Sequence, residues 1–392
     1  MARGNRFERL ERYIELLIQR RRPEKDFTGG VRVLLVVLRY LSYLYTGIVQ
    51  LRLFLYAKGI LRHHALGCQV ISVGNLTVGG TGKTPVVEVF ARELQKAGRR
   101  VAVLSRGYKK LEPTLWELLV DKITGEGRWT LPRVVSDGSK LLLDSLMSGD
   151  EPYMLASNLP EVVVLVDKNR VRSGRHAISR FGCDTLILDD GFQYLSLKHR
   201  VEIVLVDRTN PFGNEFVLPR GILREPIPNI SRADFIFITK SDGTGSAELK
   251  ARLREINPRA EIIECKHCPR HLKHLYTSEL KDLEWLRGLP VAVVSGIAAP
   301  ASFESAIESR GAVILDRHRF ADHHRYTQQE IIDIVNCSRK AGAAAIVTTE
   351  KDAVRFPRLE RCDVPIYFLR VDIEILSGAE DFRTCLSRIC FR

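Results

Sequence analysis

The chain has 392 residues, 45% of them hydrophobic, and no low-complexity tract, so it is expected to fold into more than one domain. Its eight cysteines are scattered, which suits a reduced, cytosolic compartment rather than a disulfide-rich secreted protein, and no signal-peptide pattern is evident. The formal net charge of +13 is concentrated towards the N-terminal end, where basic residues can meet nucleic acid, an anionic membrane or simply water.

Residues 1–66 form a basic segment with 13 Lys or Arg against five acids. A very apolar stretch lies within it, but the longest uncharged run, residues 40–51, has 12 residues, whereas a bilayer span needs about 20. Arg39, Ser42, Thr46 and Gln50 fall on one helical face, which favours a helix lying in the membrane interface. A helix packed wholly on the protein and a true span remain alternatives. The apolar stripe argues against a nucleic-acid partner.

From residue 68 short apolar strands alternate with helical stretches, which predicts an α/β fold with a parallel sheet of the P-loop type. The predicted domains are 1–66, a core at 67–270 and a smaller α/β domain at 271–392. The predicted strands are 69–73, 101–105, 162–166, 184–188, 201–206, 235–239, 291–296, 311–315, 343–349 and 365–371. A stretch rich in Gly, Pro and charge at 207–229 is predicted to be a long functional loop.

The sequence GGTGKT follows the first of these strands and precedes a helical stretch. In such a loop the backbone amides of Gly79, Gly80, Thr81 and Gly82 can point at phosphate oxygens. Lys83 can reach the β- and γ-phosphates, and Thr84 can ligate Mg²⁺. Thr77 departs from the strict GxxxxGK[ST] pattern, and a glycine-rich turn with an incidental lysine is the alternative interpretation.

Three further stretches carry polar groups suited to phosphoryl transfer. Asp189 and Asp190 come directly after an apolar strand, where they can hold a metal ion or be plain strand-end acids. In SGDEPYML, Asp150 can take a proton from an incoming hydroxyl, although a turn or a helix cap is the simpler interpretation. In RFADHHRY, His323 or His324 can orient that base, or both can be surface residues.

The segment CKHCPRHLKH offers Cys265, Cys268, His271 and His274 as zinc ligands. It has a single CxxC and no second ligand pair, so loop or strand-end residues without metal are the favoured interpretation.

With these stretches in order, the sequence resembles the tetraacyldisaccharide 4'-kinase family, the lipid A 4'-kinases of Gram-negative bacteria. The resemblance rests on VISVGNLTVGGTGKTP, LSRGY, VSDGS, GDEP, DDGFQ, FGN…LPRGILREP, FADHH and TTEKDAVR (348–355). It covers most of the chain, and Thr77 belongs to the family pattern.

The resemblance implies that ATP phosphorylates the 4'-hydroxyl of a tetraacylated glucosamine disaccharide 1-phosphate at the cytoplasmic face of the inner membrane. It also implies an N-terminal membrane-associated helix, and no obligate protein partner is evident. The implied roles, by position, are phosphate and Mg²⁺ binding by Lys83 and Thr84, metal binding by Asp189, Asp190 and Gln193, base catalysis by Asp150 assisted by His323, and weaker substrate roles for Glu151 and Arg170. Tyr194 stands where the family usually has His.

The rival interpretation is a P-loop switch GTPase or a membrane-associated partitioning-type ATPase, whose acceptor is water. The segment TKSD (239–242) resembles a guanine-reading NKxD and supports it. Against it, no DxxG follows at Asp189 or Asp190, and Val78 stands where a partitioning ATPase has lysine.

Overall fold

The computed structural model describes residues 29–107, 116, 131–277, 279–359 and 362–390. The helices of these residues, α1 to α10, are Gly29–Ala57, Lys83–Lys96, Ser145–Ser148, Asp150–Asn158, Arg170–Phe181, Ala247–Ile256, Pro300–Glu308, Gln328–Lys340, Glu350–Ala353 and Ala379–Cys390. The strands, β1 to β13, are Gln69–Asn75, Val101–Ser105, Arg133–Asp137, Val163–Val166, Thr185–Asp189, Val201–Asp207, Phe235–Thr239, Glu261–His274, Leu280–Asp282, Pro290–Ser295, Val313–Arg319, Ala345–Thr349 and Ile366–Ser377.

The α/β fold class is confirmed, and each predicted strand has a counterpart in the described chain. Three strands, β3, β8 and β9, were not predicted. The strand β8 reads EIIECKHCPRHLKH, and its many polar residues and its proline hide the strand pattern. The first 28 residues of the predicted basic segment lie outside the described residues.

Two compact units make up the chain, and both are assembled from separate stretches. Unit 1 takes its described residues from Met1–Val87, Asp184–Lys266 and Ile375–Arg392, and unit 2 from Glu88–Cys183 and His267–Glu374. The division falls inside α2, β8 and β13, and it differs from the contiguous segments 67–270 and 271–392. That these segments are folding domains stays a prediction.

Unit 1 contains a parallel sheet in the order β5-β1-β6-β7-β8. Its strands are almost fully buried apolar runs, as expected where both faces of a parallel sheet are covered. The register places Val73 of β1 beside Asp189 of β5, and Asp207 of β6 beside Thr239 of β7. The carboxyl ends of these strands therefore meet at one edge of the sheet, where ligands of open α/β sheets bind.

Unit 2 contains two strand groups. In one, β4 pairs with β2 in parallel and with β3 in antiparallel orientation. In the other, β11, β10, β12 and β13 follow one another in parallel. Two of its helices start at recognisable caps, since Asn169 caps α5 and Thr327 forms a capping box with Glu330 at α8.

Helix α1 belongs to unit 1 and is long and apolar enough to cross a membrane by length and composition. Its polar stripe faces the protein. The Ser42 hydroxyl donates to Val217 O at 2.7 Å and accepts from Arg220 N at 3.0 Å. Further along the helix, Tyr45 donates to Arg224 O and Gln50 donates to Asn229 Oδ1. Apolar side chains of α1 remain exposed: Val33, Val37, Tyr40, Leu41, Leu44, Ile48, Leu51 and Phe54.

Candidate functional site

The phosphate loop begins at the buried Asn75, the last residue of β1. Asn75 Nδ2 donates to Thr81 Oγ1 at 2.9 Å, and Lys83 Nζ donates to Asn75 Oδ1 at 3.4 Å. Gly79 and Gly82 have φ of 118° and 80°, a backbone conformation that favours glycine. The loop then enters α2 at Lys83, so its backbone and the amino end of a helix lie together, which is the arrangement that binds phosphate.

Two residues that sequence reasoning did not assign, the last residue of β7 and the one after it, hold this loop. Thr239 Oγ1 donates to Thr81 O at 2.7 Å. Lys240 Nζ donates to Gly80 O at 2.7 Å and to Asp207 Oδ2 at 2.6 Å. Burial raises the pKa of Asp207, but the hydrogen bonds from Lys240 and Thr209 and the charge of Lys240 outweigh burial and leave the pKa below its ordinary value. TKSD is therefore part of the loop's support, and its Asp242 accepts from Thr244 N and pairs with Arg208.

The 207–229 stretch also contacts the phosphate loop. Val78 N donates to Ile222 O at 2.8 Å, and Arg224 N donates to Leu76 O at 2.6 Å. We call residues 217–224 the bracing segment, because they contact both the phosphate loop and, through Ser42, helix α1. The composition of residues 207–229 predicted a functional loop. It could not show that the loop contacts residues 76–78, because those residues are far away in the sequence.

Asp190 is surrounded by cations. Arg224 Nη1 lies 2.8 and 2.7 Å from its two carboxylate oxygens, and Lys83 Nζ lies 3.5 Å from Oδ1. Gln193 donates from Nε2 to Asn75 O at 3.0 Å, and its Oε1 accepts from Arg224 at 3.4 Å. Asp190 therefore links Lys83 of the phosphate loop to Arg224 of the bracing segment.

The side chains of Thr84 and Asp189 supply oxygen donors near the two ends of this loop. Both residues are buried, Thr84 in the first turn of α2 and Asp189 at the end of β5 beside Val73. Magnesium takes hard oxygen ligands of this kind, so the chemistry of these donors fits the ion. Asp190 and Gln193 are engaged with Arg224 in this arrangement, and their role as metal ligands stays a prediction.

A second group of predicted residues lies in unit 2 around Asp150. Gly149, with φ of 92°, separates α3 from α4, and Asp150 is the first residue of α4. The Asp150 side chain is 4% exposed. Its Oδ2 accepts from Arg355 Nε at 2.8 Å, and its Oδ1 accepts from Arg325 Nη2 at 3.2 Å.

These contacts set the charge of Asp150. Burial raises its pKa, but the hydrogen bond from His323 and the positive charges of Arg355 and Arg325 outweigh burial and leave the pKa below its ordinary value. The side chain is therefore a carboxylate at neutral pH, as a proton acceptor must be.

The structure brings His323, and not His324, to Asp150. His323 Nδ1 lies 3.2 Å from Asp150 Oδ2, and its backbone has φ of 65°. His324 instead contacts Glu330 at 3.1 Å and stacks on Phe320. Sequence reasoning missed Arg355 and Arg325, although both belong to the quoted motifs TTEKDAVR and RFADHHRY.

The remaining predicted residues have these places. Glu151 is half-buried in the first turn of α4, next to Asp150. Arg170 is buried at the start of α5 in the same unit. Tyr194 follows Asp190 and Gln193 in a turn whose backbone bond runs from Tyr194 N to Gly191 O.

The cysteines and histidines of CKHCPRHLKH all lie within strand β8. Cys265 and Cys268 are three residues apart, so their side chains leave opposite faces of the strand. Burial raises the pKa of the Cys265 thiol to about 12, which disfavours the thiolate that zinc requires. Within the described ranges there is no group of three or more His, Cys, Asp or Glu placed to hold a metal ion.

A phosphate loop between the first strand and helix of a parallel sheet, with acids at the end of the adjacent strand, defines an α/β protein of the P-loop type. The family model of tetraacyldisaccharide-1-P 4'-kinase matches residues 34–390. The chain belongs to this family.

Relatives of known name support this membership. A tetraacyldisaccharide 4'-kinase from Anaeromyxobacter sp. (strain K) is 40% identical over 341 residues, covering 86% of this chain and 85% of the relative. One from Halothermothrix orenii is 34% identical over 374 residues, covering 91% and 93%. The solved structure of LpxK from Aquifex aeolicus in complex with ATP is 27% identical, with a TM-score of 0.69, and covers 91% of this chain and 100% of that one.

The predicted family, enzyme class and 4'-kinase function are therefore confirmed. The rival interpretation as a switch GTPase or a partitioning ATPase is not favoured.

Proposed function

We propose that the chain transfers the γ-phosphate of ATP to the 4'-hydroxyl of a tetraacylated glucosamine disaccharide 1-phosphate, a step of lipid A biosynthesis. Family membership gives the reaction class. The observation that carries the proposal is the buried carboxylate of Asp150, because a sugar hydroxyl needs a base that stays ionised at neutral pH.

On the nucleotide side, the amides of Gly79, Gly80, Thr81 and Gly82 cradle the phosphates and Lys83 neutralises the β- and γ-phosphates. The support is the helix that begins at Lys83 and the network that fixes the lysine at Asn75 and Asp190. Thr84 and Asp189 are the residues that hold Mg²⁺, with Asp190 and Gln193 beside them. Bound magnesium supplies charge neutralisation of the transferring phosphate.

On the acceptor side, Asp150 takes the proton of the 4'-hydroxyl as its oxygen forms the new bond to the γ-phosphorus. The bond from the γ-phosphorus to the bridging oxygen breaks, and ADP leaves with that electron pair. His323 holds Asp150 by its hydrogen bond. We also assign substrate contacts to Glu151 and Arg170. The support for these two residues is their position in the family's sequence pattern.

The acceptor is a lipid, so the enzyme works at the cytoplasmic face of the inner membrane. Helix α1 supports this location, since its polar stripe is hydrogen-bonded to Val217 and Asn229 while its apolar side chains are exposed. A helix bonded along one side to its own protein suits an in-plane position in the membrane interface.

The test is a transfer assay with the purified full-length chain, γ-labelled ATP, Mg²⁺ and the disaccharide 1-phosphate in mixed micelles. We expect label in the lipid and a product phosphorylated at the 4'-position, with Lys83→Met as the inactive control. Rapid GTP hydrolysis without lipid, together with an unlabelled acceptor, would contradict the proposal and favour the switch interpretation.

A further inference from the structure

The motif TTEKDAVR (348–355) supplies two cations to the Asp150 region that the proposed mechanism does not use. It runs from the end of β12 through α9, where Thr349 caps the helix by accepting from Asp352 N. Lys351 Nζ lies 3.2 Å from His323 Nε2, and Arg355 Nε lies 2.8 Å from Asp150 Oδ2. The short stretch from α9 to Arg355 therefore contacts both members of the Asp150–His323 pair.

The contacts of His323 decide which ring nitrogen carries the proton. An ammonium group has donors only, so the Lys351 contact requires His323 Nε2 to accept. The proton then resides on Nδ1, which lies 3.2 Å from Asp150 Oδ2 and donates to it. Both contacts are satisfied together in this tautomer.

The opposite tautomer satisfies fewer groups. Arg355 Nη2 also lies 3.2 Å from His323 Nδ1 and would donate to an unprotonated Nδ1. That arrangement would set the ring Nε2–H against the Lys351 ammonium and a ring lone pair against the Asp150 carboxylate. Arg355 gains little from it, because its guanidinium already bonds Asp150, Gly296 O and Asp352. Lys351 and Asp150 therefore both favour the tautomer with the proton on Nδ1, and Lys351 is the one of the two that can be changed without removing the proposed base.

We propose that Lys351 is a positioning residue that fixes His323 with its proton on Nδ1, so that His323 donates to Asp150 and holds that carboxylate in place. The ammonium is itself held, since it lies 3.5 Å from Asp322 Oδ1. The backbone of His323 is held by its bond from N to Gly296 O. The proposal deepens the proposed function, because it concerns the orientation of the same base.

Lys351 is a suitable residue to change, since its side chain is 27% exposed and its removal leaves no buried group alone. Loss of a group that orients a functional histidine costs about 10- to 100-fold where it has been measured in metal sites. We expect Lys351→Met to lower kcat roughly tenfold, with the ATP Kd unchanged. Lys351→Arg keeps a donor cation and should restore most of the rate. Arg339→Met, which removes an exposed cation paired with Asp363, is the matched control and should be neutral.

Two readouts separate positioning from a general structural effect. In a His323→Ala background, Lys351→Met should cause no further loss of kcat, because its effect passes through the ring. An equal loss in both backgrounds would overturn the proposal and assign Lys351 a direct role.

The second readout is the nitrogen spectrum of ¹⁵N-histidine-labelled protein without substrate, in which the His323 signals are identified by their loss in His323→Ala. We expect a protonated Nδ1 in the wild type and a shift toward the other tautomer in Lys351→Met. The same tautomer in both proteins, whether Nδ1–H or Nε2–H, would refute the proposal. This spectrum does not depend on the acceptor, so a failed lipid assay would leave the tautomer result standing and would count against the proposed function alone.

Discussion

At the residue scale, three of the five described residues other than glycine that have positive φ lie beside the phosphate loop or beside Asp150. Asp190, Lys240 and His323 have φ of 58°, 54° and 65°, a region that residues other than glycine rarely occupy. Such conformations cost about 1–3 kcal/mol each and persist where surrounding contacts hold them. Each of the three has such contacts: Asp190 with Arg224, Lys240 with Asp207, and His323 with Asp150.

Asp150→Asn tests the base directly. Asparagine keeps the shape of the side chain but cannot take a proton, and general-base assistance contributes about 10²- to 10⁴-fold to rates. We expect kcat to fall by about that factor and the ATP Kd to stay within a few-fold, measured by the transfer assay and by calorimetry.

Asp333→Asn is a matched control on an exposed helix surface, where the carboxylate accepts from Gln329 Nε2, and it should leave kcat unchanged. Near-normal turnover of Asp150→Asn would mean that Asp150 is not the base and that the segment GDEP is simply a turn or a helix cap.

At the element scale, Gly74 near the end of β1 and Gly80 in the phosphate loop have different surroundings. A Cβ added at Gly74 in β1 would lie 2.6 Å from Phe192 Cβ, whereas one at Gly80 would meet nothing within 4 Å. Overpacking costs about 1–3 kcal/mol, so Gly74→Ala should lower the melting temperature by on the order of a few degrees. Gly80→Ala should keep the melting temperature and weaken ATP binding, because its methyl group occupies space beside the phosphate-binding amides.

Thermal melts with and without ATP distinguish the two effects. Equal melting temperatures for both variants would refute the packing argument, and unchanged ATP affinity in Gly80→Ala would argue against a phosphate cradle at that glycine.

Helix α1 allows a similarly matched pair. Leu51 on α1 and Leu280 on β9 are both 57% exposed. Burying a leucine contributes about 1.5–3 kcal/mol, so Leu51→Glu should lower binding to lipid vesicles roughly tenfold or more. Leu280→Glu should have little effect in the same flotation assay. Equal losses for both variants would mean that α1 is not the lipid-binding element.

The elements show what the sequence could predict and what it could not. Strands such as VAVLS and FIFIT were predictable because burial on both faces makes them continuous apolar runs. The sequence could not predict whether the polar stripe on α1 faces water or protein, because polar side chains form hydrogen bonds with either. Only the partners, Val217 and Asn229, show that it bonds protein.

At the scale of the whole molecule, the net charge of +13 predicts salt-sensitive membrane binding. Exposed charges are screened over about 10 Å at 0.1 M salt and about 3 Å at 1 M. Binding to anionic vesicles should therefore fall over this range, while binding to neutral vesicles, which depends on the apolar face of α1, should change little. A co-sedimentation series in salt measures both. Equal salt dependence on the two vesicle types would refute the electrostatic part.

The candidate residues were predictable one motif at a time, but their partners were not. Lys83, Thr84 and Asp189 follow from local patterns of strand, loop and helix. Arg355 lies 205 residues from Asp150 in the chain, and a local pattern carries no information about a contact of that separation. For the same reason, local patterns could not predict that each unit is assembled from separate stretches of the chain.

The bracing segment has a thermodynamic consequence. Residues 217–224 bond to Ser42 of α1 and, through Ile222 and Arg224, to the phosphate loop. Any restraint that lipid contact places on α1 is thus shared with the groups around the nucleotide, and linkage is reciprocal. If vesicles tighten ATP binding by some factor, ATP must tighten vesicle binding by the same factor, so an enzyme loaded with ATP would reside longer on the bilayer that contains its acceptor.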